Sequence, residues 1–125
     1  MEKKIINTNK APGAIGPYVQ AVSVGDTMYC SGQLGLIPET GELAQGVKEQ
    51  AHQAMKNVGN ILAENGLDYS NIVKATIFVK DLANFGAINE VYGSYFTGSF
   101  PARSCVQVAA LPKDAEVEVE VIAVR

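Results

Sequence analysis

The segment Glu116-Val117-Glu118-Val119-Glu120-Val121-Ile122-Ala123-Val124 alternates charged and apolar residues, a period of two that only a β-strand explains. Val117, Val119, Val121 and Ala123 form its core side. Glu116, Glu118 and Glu120 line the other side at roughly 6.5 to 7 Å spacing, a row that solvent alone accounts for. That side continues into Ile122 and Val124, which open water does not favour, so something covers part of it. A carboxylate at the edge of a covered region can hold or deprotonate a water. Such a strand needs neighbours in a sheet and a layer over its valine side.

Two helical patterns supply that layer. Val47, Ala51, Ala54, Met55, Val58, Ile61 and Leu62 recur at threes and fours, and Gly66 offers the left-handed stop. Phe85, Ile88, Tyr92, Tyr95 and Phe96 form a second stripe, with Asp81 or Asn84 placed to cap it. Strands are predicted near 4–8, 18–24, 27–34, 71–79, 102–109 and 117–124. Gly25-Asp26 joins the second and third as a hairpin, and Pro38-Glu39-Thr40-Gly41 is a turn. The expectation is one α+β domain over residues 1–125, six strands with two helices on one face. In strand 71–79, Val73, Ala75, Ile77 and Val79 are expected under the helices, and Ile72, Lys74, Thr76 and Phe78 opposite. A face so apolar marks an interface.

In Pro101-Ala102-Arg103-Ser104-Cys105-Val106-Gln107-Val108, residues two apart share a face. Ser104, Val106 and Val108 read as core, with Arg103 and Cys105 on the face away from it. There Arg103 is either a solvated surface charge or a planar fork that takes a carboxylate in two parallel hydrogen bonds.

The charge balance excludes several classes. A net charge of −3 lacks the basic footprint of a nucleic-acid binder. No stretch is long enough for a membrane span or a signal-peptide core. Cys30 and Cys105 are far apart, and with His52 as the single histidine a zinc site is not expected. Two free thiols fit a cytoplasmic location. His52 reads as a surface residue.

The motifs Ala14-Ile15-Gly16-Pro17-Tyr18, Ser31-Gly32-Gln33, Val73-Lys74-Ala75-Thr76, Asn89-Glu90-Val91-Tyr92, Pro101 to Val106 and Leu111-Pro112-Lys113-Asp114 resemble, in order and spacing, the Rid proteins of RidA type. These are reactive-intermediate or imine deaminases, and the resemblance runs from about residue 5 to residue 124. It implies a chorismate-mutase-like α+β fold and a homotrimer with sites at subunit interfaces. It also implies hydrolysis of 2-imino or 2-enamino acids, such as 2-aminoacrylate and 2-aminocrotonate, to 2-oxo acids and ammonia, with no cofactor and no metal.

The resemblance further implies that Arg103 grips the substrate carboxylate with the backbone N–H of Cys105, that Glu118 orients the water, and that Tyr18, Ser31, Gly32 and Asn89 contact substrate. Each has another explanation in its own surroundings. Tyr18 suits hairpin packing, Ser31-Gly32 suits a turn or bulge, and Asn89 suits a structural hydrogen bond inside its helical stripe. Leu34-Gly35-Leu36 departs from the expected Ile-Pro-Leu pattern and predicts a looser loop, and Gln107 and Ala110 stand where a charged pair often occurs. Two other classes fit the same chain: a non-catalytic metabolite-binding or chaperone-like trimer, and an endoribonuclease acting on translation. Arg103 together with Glu118 favours the enzyme, since a carboxylate sensor needs the arginine but no water-holding acid.

Overall fold

The computed structural model describes residues 1–125. Seven strands and two helices follow in the order β1 (Lys3–Ile6), β2 (Ala21–Val24), β3 (Thr27–Cys30), β4 (Gln33–Leu34), α1 (Val47–Glu64), β5 (Ile72–Val79), α2 (Phe85–Gly93), β6 (Ala102–Gln107) and β7 (Val117–Val124). The sheet runs β1-β2-β3-β7-β5-β6, and the two-residue β4 also pairs with β7. The predicted strand 27–34 is thus two strands, because the chain steps at Ser31-Gly32 before rejoining β7. All pairings are antiparallel except β5 with β6. A parallel pair needs a crossover, and α2 supplies it.

The periodicities account for the core. Ala51, Ala54, Met55, Val58, Ile61 and Leu62 of α1 are buried against Val117, Val119, Val121 and Ala123 of β7 in one apolar cluster. Helix α1 ends as its sequence predicts. Gly66 takes φ 72°, its N–H reaches the Ala63 carbonyl, and the Leu67 N–H reaches that of Leu62, both at 3.0 Å. This pair of bonds is a Schellman motif, which satisfies carbonyls the helix end would leave bare. Ahead of α2, the cap is the Asp81 side chain, which accepts from the Ala83 N–H at 2.9 Å, while Asn84 makes no such bond. Helix α2 stops at Gly93, so Tyr95 and Phe96 fall in the following turn.

Two face assignments differ from the sequence reading. A bulge between Ile72 and Lys74 shifts the phase of β5, so Ile72 is buried and Val73 exposed. The second difference concerns β6. Arg103 pairs with Ala75 and Cys105 with Ile77, both buried beneath the helices, so Arg103 and Cys105 lie on the helix-covered face. Ser104 and Val106 lie on the other face, beside Thr76 and Phe78. That face carries no helix. Tyr29, Val106 and Val124 stand exposed on it, and Phe78 and Ile122 are only half-covered.

Candidate active site

Arg103 leaves the edge strand β6 toward α2. Its guanidinium stacks over the rings of Phe85 and Tyr92, with 5.3 and 5.2 Å to the ring centroids, and donates to the Asn89 side-chain oxygen. Positions 85, 89 and 92 are four and three apart, so all three side chains project from one stripe of the helix. The helix thereby holds the guanidinium plane on two aromatic faces and one amide. A cleft of about 550 Å³ opens here, lined by Arg103, Asn89, Tyr92, Gly86, Phe100 and Pro101. The Tyr92 hydroxyl is buried without a hydrogen-bond partner.

Cys105 is half-buried one step along the same face. Burial raises its thiol above the ordinary range, partly offset by Arg103, so the thiol is neutral and a poor nucleophile. Its backbone is better placed. The Val108 N–H donates to Val79 at 3.0 Å. Successive N–H groups along a strand alternate in direction, so the Cys105 N–H, three residues back, points away from β5 and out of the sheet edge.

Glu118 sits on the opposite face, paired with Leu34 and Phe78. Burial, then the neighbouring Glu120 charge, raises its carboxyl above the usual range. It lines a cavity of about 420 Å³ with Tyr18, Gly32, Ile15, Leu34 and Lys113. The loop bearing Ile15 and Tyr18 is anchored by Gln20, whose buried side chain accepts from the Thr8 N–H at 2.6 Å and donates to the Thr8 and Pro12 carbonyls at 3.0 and 2.9 Å. Ser31 ties in the same loop, its hydroxyl donating to Val19 at 2.6 Å.

The loop 34–36 is clamped, contrary to the looser loop its sequence predicts. Asn57, fully buried on α1, donates to the Leu34 and Leu36 carbonyls at 3.1 and 2.9 Å. A Cβ on Gly35 would lie 2.6 Å from the Gln50 Cα, so glycine is what lets the loop lie flush on α1. Gln107 is also engaged, accepting from the Leu82 N–H at 2.9 Å.

The seven residues singled out from the sequence therefore fall into two groups. Tyr18, Ser31, Gly32 and Glu118 gather on the open side of the sheet, and Asn89, Arg103 and Cys105 on the helix side at its β6 edge. In sequence, Phe85 and Tyr92 belong to the second helical stripe with no role at the site, and their sharing that stripe with Asn89 is the signal that points to one. Nothing local in the sequence marks Gln20 and Asn57, buried amides whose partners are distant in sequence. His52 is half-buried, its Nδ1 at 3.0 Å from the Tyr95 hydroxyl, and lies in neither group. No group of three or more His, Cys, Asp or Glu is placed to hold a metal ion. No helix is long and apolar enough to cross a membrane.

Two helices on one face of a mixed sheet, with an arginine cleft and an acid cavity across the sheet from each other, define a known class. The chain belongs to the family described as Endoribonuclease L-PSP, whose model matches residues 8–125. It is 54% identical to the mouse 2-iminobutanoate/2-iminopropanoate deaminase over 124 residues, 98% of this chain and 92% of the relative. It is 50% identical to the putative reactive intermediate deaminase TdcF of Escherichia coli, with 98% of each chain covered. The crystal structure of E. coli TdcF with bound serine superposes with a TM-score of 0.95, at 50% identity and 98% coverage of both chains.

Proposed function

We propose that this protein is a 2-iminobutanoate/2-iminopropanoate deaminase, hydrolysing 2-imino acids and their enamine tautomers to 2-oxo acids and ammonia, in sites completed between copies of a cytoplasmic, chorismate-mutase-like homotrimer. The observation that carries this reading is the division of the site. Arg103 and Glu118 lie on opposite faces of one sheet, so no substrate of three or four carbons reaches both within a single chain. The open face has the apolar character of a surface awaiting a second copy. Three sheets meeting through it bring the β6 edge of one copy to the acid cavity of the next.

In this site Arg103 and the Cys105 N–H hold the substrate carboxylate and so place C2. Tyr18, Ser31 and Gly32 of the next copy line the far side, and Asn89 keeps the guanidinium in its plane. An enamine first tautomerises, because only the imine C2 is electrophilic. Glu118 of the next copy takes a proton from water as its oxygen adds to C2 of the imine protonated at nitrogen, giving a neutral carbinolamine. The same carboxyl returns that proton to nitrogen, and as the C–N bond breaks the freed carboxylate takes the hydroxyl proton, so ammonia leaves, C2 becomes a carbonyl and the proton passes to solvent. Of the other classes, the ribonuclease reading draws least support: the net charge is −3, and His52 is engaged with Tyr95, outside both groups.

The direct test is a coupled assay in which a serine or threonine dehydratase generates the imine and release of 2-oxo acid is followed with and without the protein. Faster release is expected. A second arm tests the shared site: Arg103→Ala and Glu118→Ala proteins, each inactive, are denatured together and refolded. With equal amounts reassorting at random, one site in each mixed trimer pairs an intact arginine with an intact glutamate, about a quarter of all sites, so about a quarter of the activity should return. No recovery means that the two residues act within one chain or not at all.

A further inference from the structure

Glycine is the default residue where the backbone must take a positive φ. Gly32 is not in that conformation: the glycines with positive φ are Gly25, Gly41, Gly46 and Gly66. Its backbone suits any residue, yet a Cβ there would meet the Glu118 side chain at 2.7 Å from Cδ, 2.9 Å from Oε1 and 3.0 Å from Cγ. All three atoms belong to the one carboxyl arm that the acid cavity holds. The remainder of that arm is fixed from below, since Glu118 is paired on either side with Leu34 and Phe78.

We propose that Gly32 is a positioning residue for Glu118: its bare Cα is the floor on which the carboxyl lies, and any side chain there lifts the acid off the place where it holds water. This rests on the reading of Glu118 as the water-holding base, and it gives Gly32 a role separate from contact with substrate. The step between β3 and β4 brings the glycine under β7, which is why the predicted strand 27–34 breaks at that point. The half-buried state of the carboxyl follows from the same seat. Lying flat on the backbone shields one side of it from solvent, in keeping with the upward shift that burial gives it.

The test uses the full-length protein as Gly32→Ala, Glu118→Ala and the double variant. Alanine at position 32 should change the melting temperature of the parent, by displacing the Glu118 carboxyl arm, and have little effect in the Glu118→Ala background, where the methyl has room. If Gly32→Ala alone does not fold and the double variant does, the same conclusion follows in stronger form. An equal change in both backgrounds, or failure of both to fold, overturns the proposal, because the methyl then meets something other than Glu118. The second measurement is titration of the Glu118 carboxyl by carbon NMR. Its midpoint should move down toward an ordinary glutamate in Gly32→Ala, and an unchanged midpoint overturns the proposal. Neither measurement uses substrate. If the midpoint moves but the acid limb of the pH–rate profile does not, the seat stands and the assignment of Glu118 as base falls.

Discussion

Arg103 and Glu118 stand on opposite faces of one sheet although only β5 separates their strands. Arg103 pairs with Ala75 and turns under α2, whereas Glu118 pairs with Phe78, three residues further along β5, and turns to the side without helices. Neighbouring positions along a strand point oppositely, so an odd step on β5 is enough to divide the pair. Each half is then prepared separately, the cation by stacking and the acid by burial.

The arginine half predicts a graded mutational response. Replacing Arg103 by alanine or lysine removes the two-pronged grip, and losing two charge-assisted bonds corresponds to about a 100-fold or greater fall in kcat/KM. Phe85→Leu keeps the arginine but removes one stacked ring. It is expected to raise KM about two- to fivefold at constant kcat, the scale of an exposed cation–π contact. Steady-state kinetics separates the two, and a Phe85→Leu enzyme that loses kcat instead contradicts a pure holding role.

The three glutamates in and just before β7 should behave differently. Glu118→Gln removes the proposed base and should cost about 10²- to 10⁴-fold in turnover while binding of 2-oxobutanoate persists. Glu116 sits at the strand's start, its N–H donating to Gln50 at 2.8 Å and its carboxylate 3.9 Å from Lys80. Glu116→Gln should leave turnover nearly unchanged. Glu120→Gln should act, if at all, on assembly. Equal losses at all three would remove the water from Glu118.

The raised Glu118 carboxyl sets both pH dependences. In its proposed role as base it works only when ionised, so kcat/KM should fall as pH drops through a midpoint above that of an ordinary glutamate. Stability has the opposite sign. A carboxyl whose folded pKa exceeds its unfolded one binds the proton more tightly when folded, so this group's contribution to stability declines as pH rises through that interval. Glu118→Gln, neutral at every pH, is therefore expected to melt higher than the parent at neutral pH and to converge with it in acid. Melting curves across pH check this, and a variant that melts lower at neutral pH contradicts the shift.

Assembly is tested by mass. Light scattering at micromolar concentration should give three times 13.3 kDa, and a stable monomer would leave the two half-sites unjoined. Disturbing the open face at Val106, exposed beside Phe78 on the sheet, should weaken the trimer. Val106→Glu is expected to shift the mass downward and to reduce activity with it.

Asn57 offers a stability prediction away from the chemistry. Asn57→Ala strips two carbonyls of their donor, and a buried polar group left unpaired costs roughly 1 to 3 kcal/mol. Because the Leu34 strand pairs with Glu118, the variant should lose turnover as well as melting temperature.

Much of the fold was legible because it follows from local periodicity. The alternation 116–124, the α1 stripe and its glycine stop each have one physical interpretation, and each stands as read. The face of β6 was not legible. Arg103-Ser104-Cys105-Val106-Gln107-Val108 carries apolar side chains on both of its faces, so nothing local says which side the helices cover. The phase of β5 turned on a single bulge between Ile72 and Lys74, which leaves no mark in a run of mostly apolar residues. The sequence by itself determined which residues are candidates for the chemistry: an arginine in an edge-like strand, an acid among alternating valines, a glycine where a strand ends. Only the tertiary structure decided that arginine and acid face away from each other, because the side a residue takes depends on where the helices land and how neighbouring strands register.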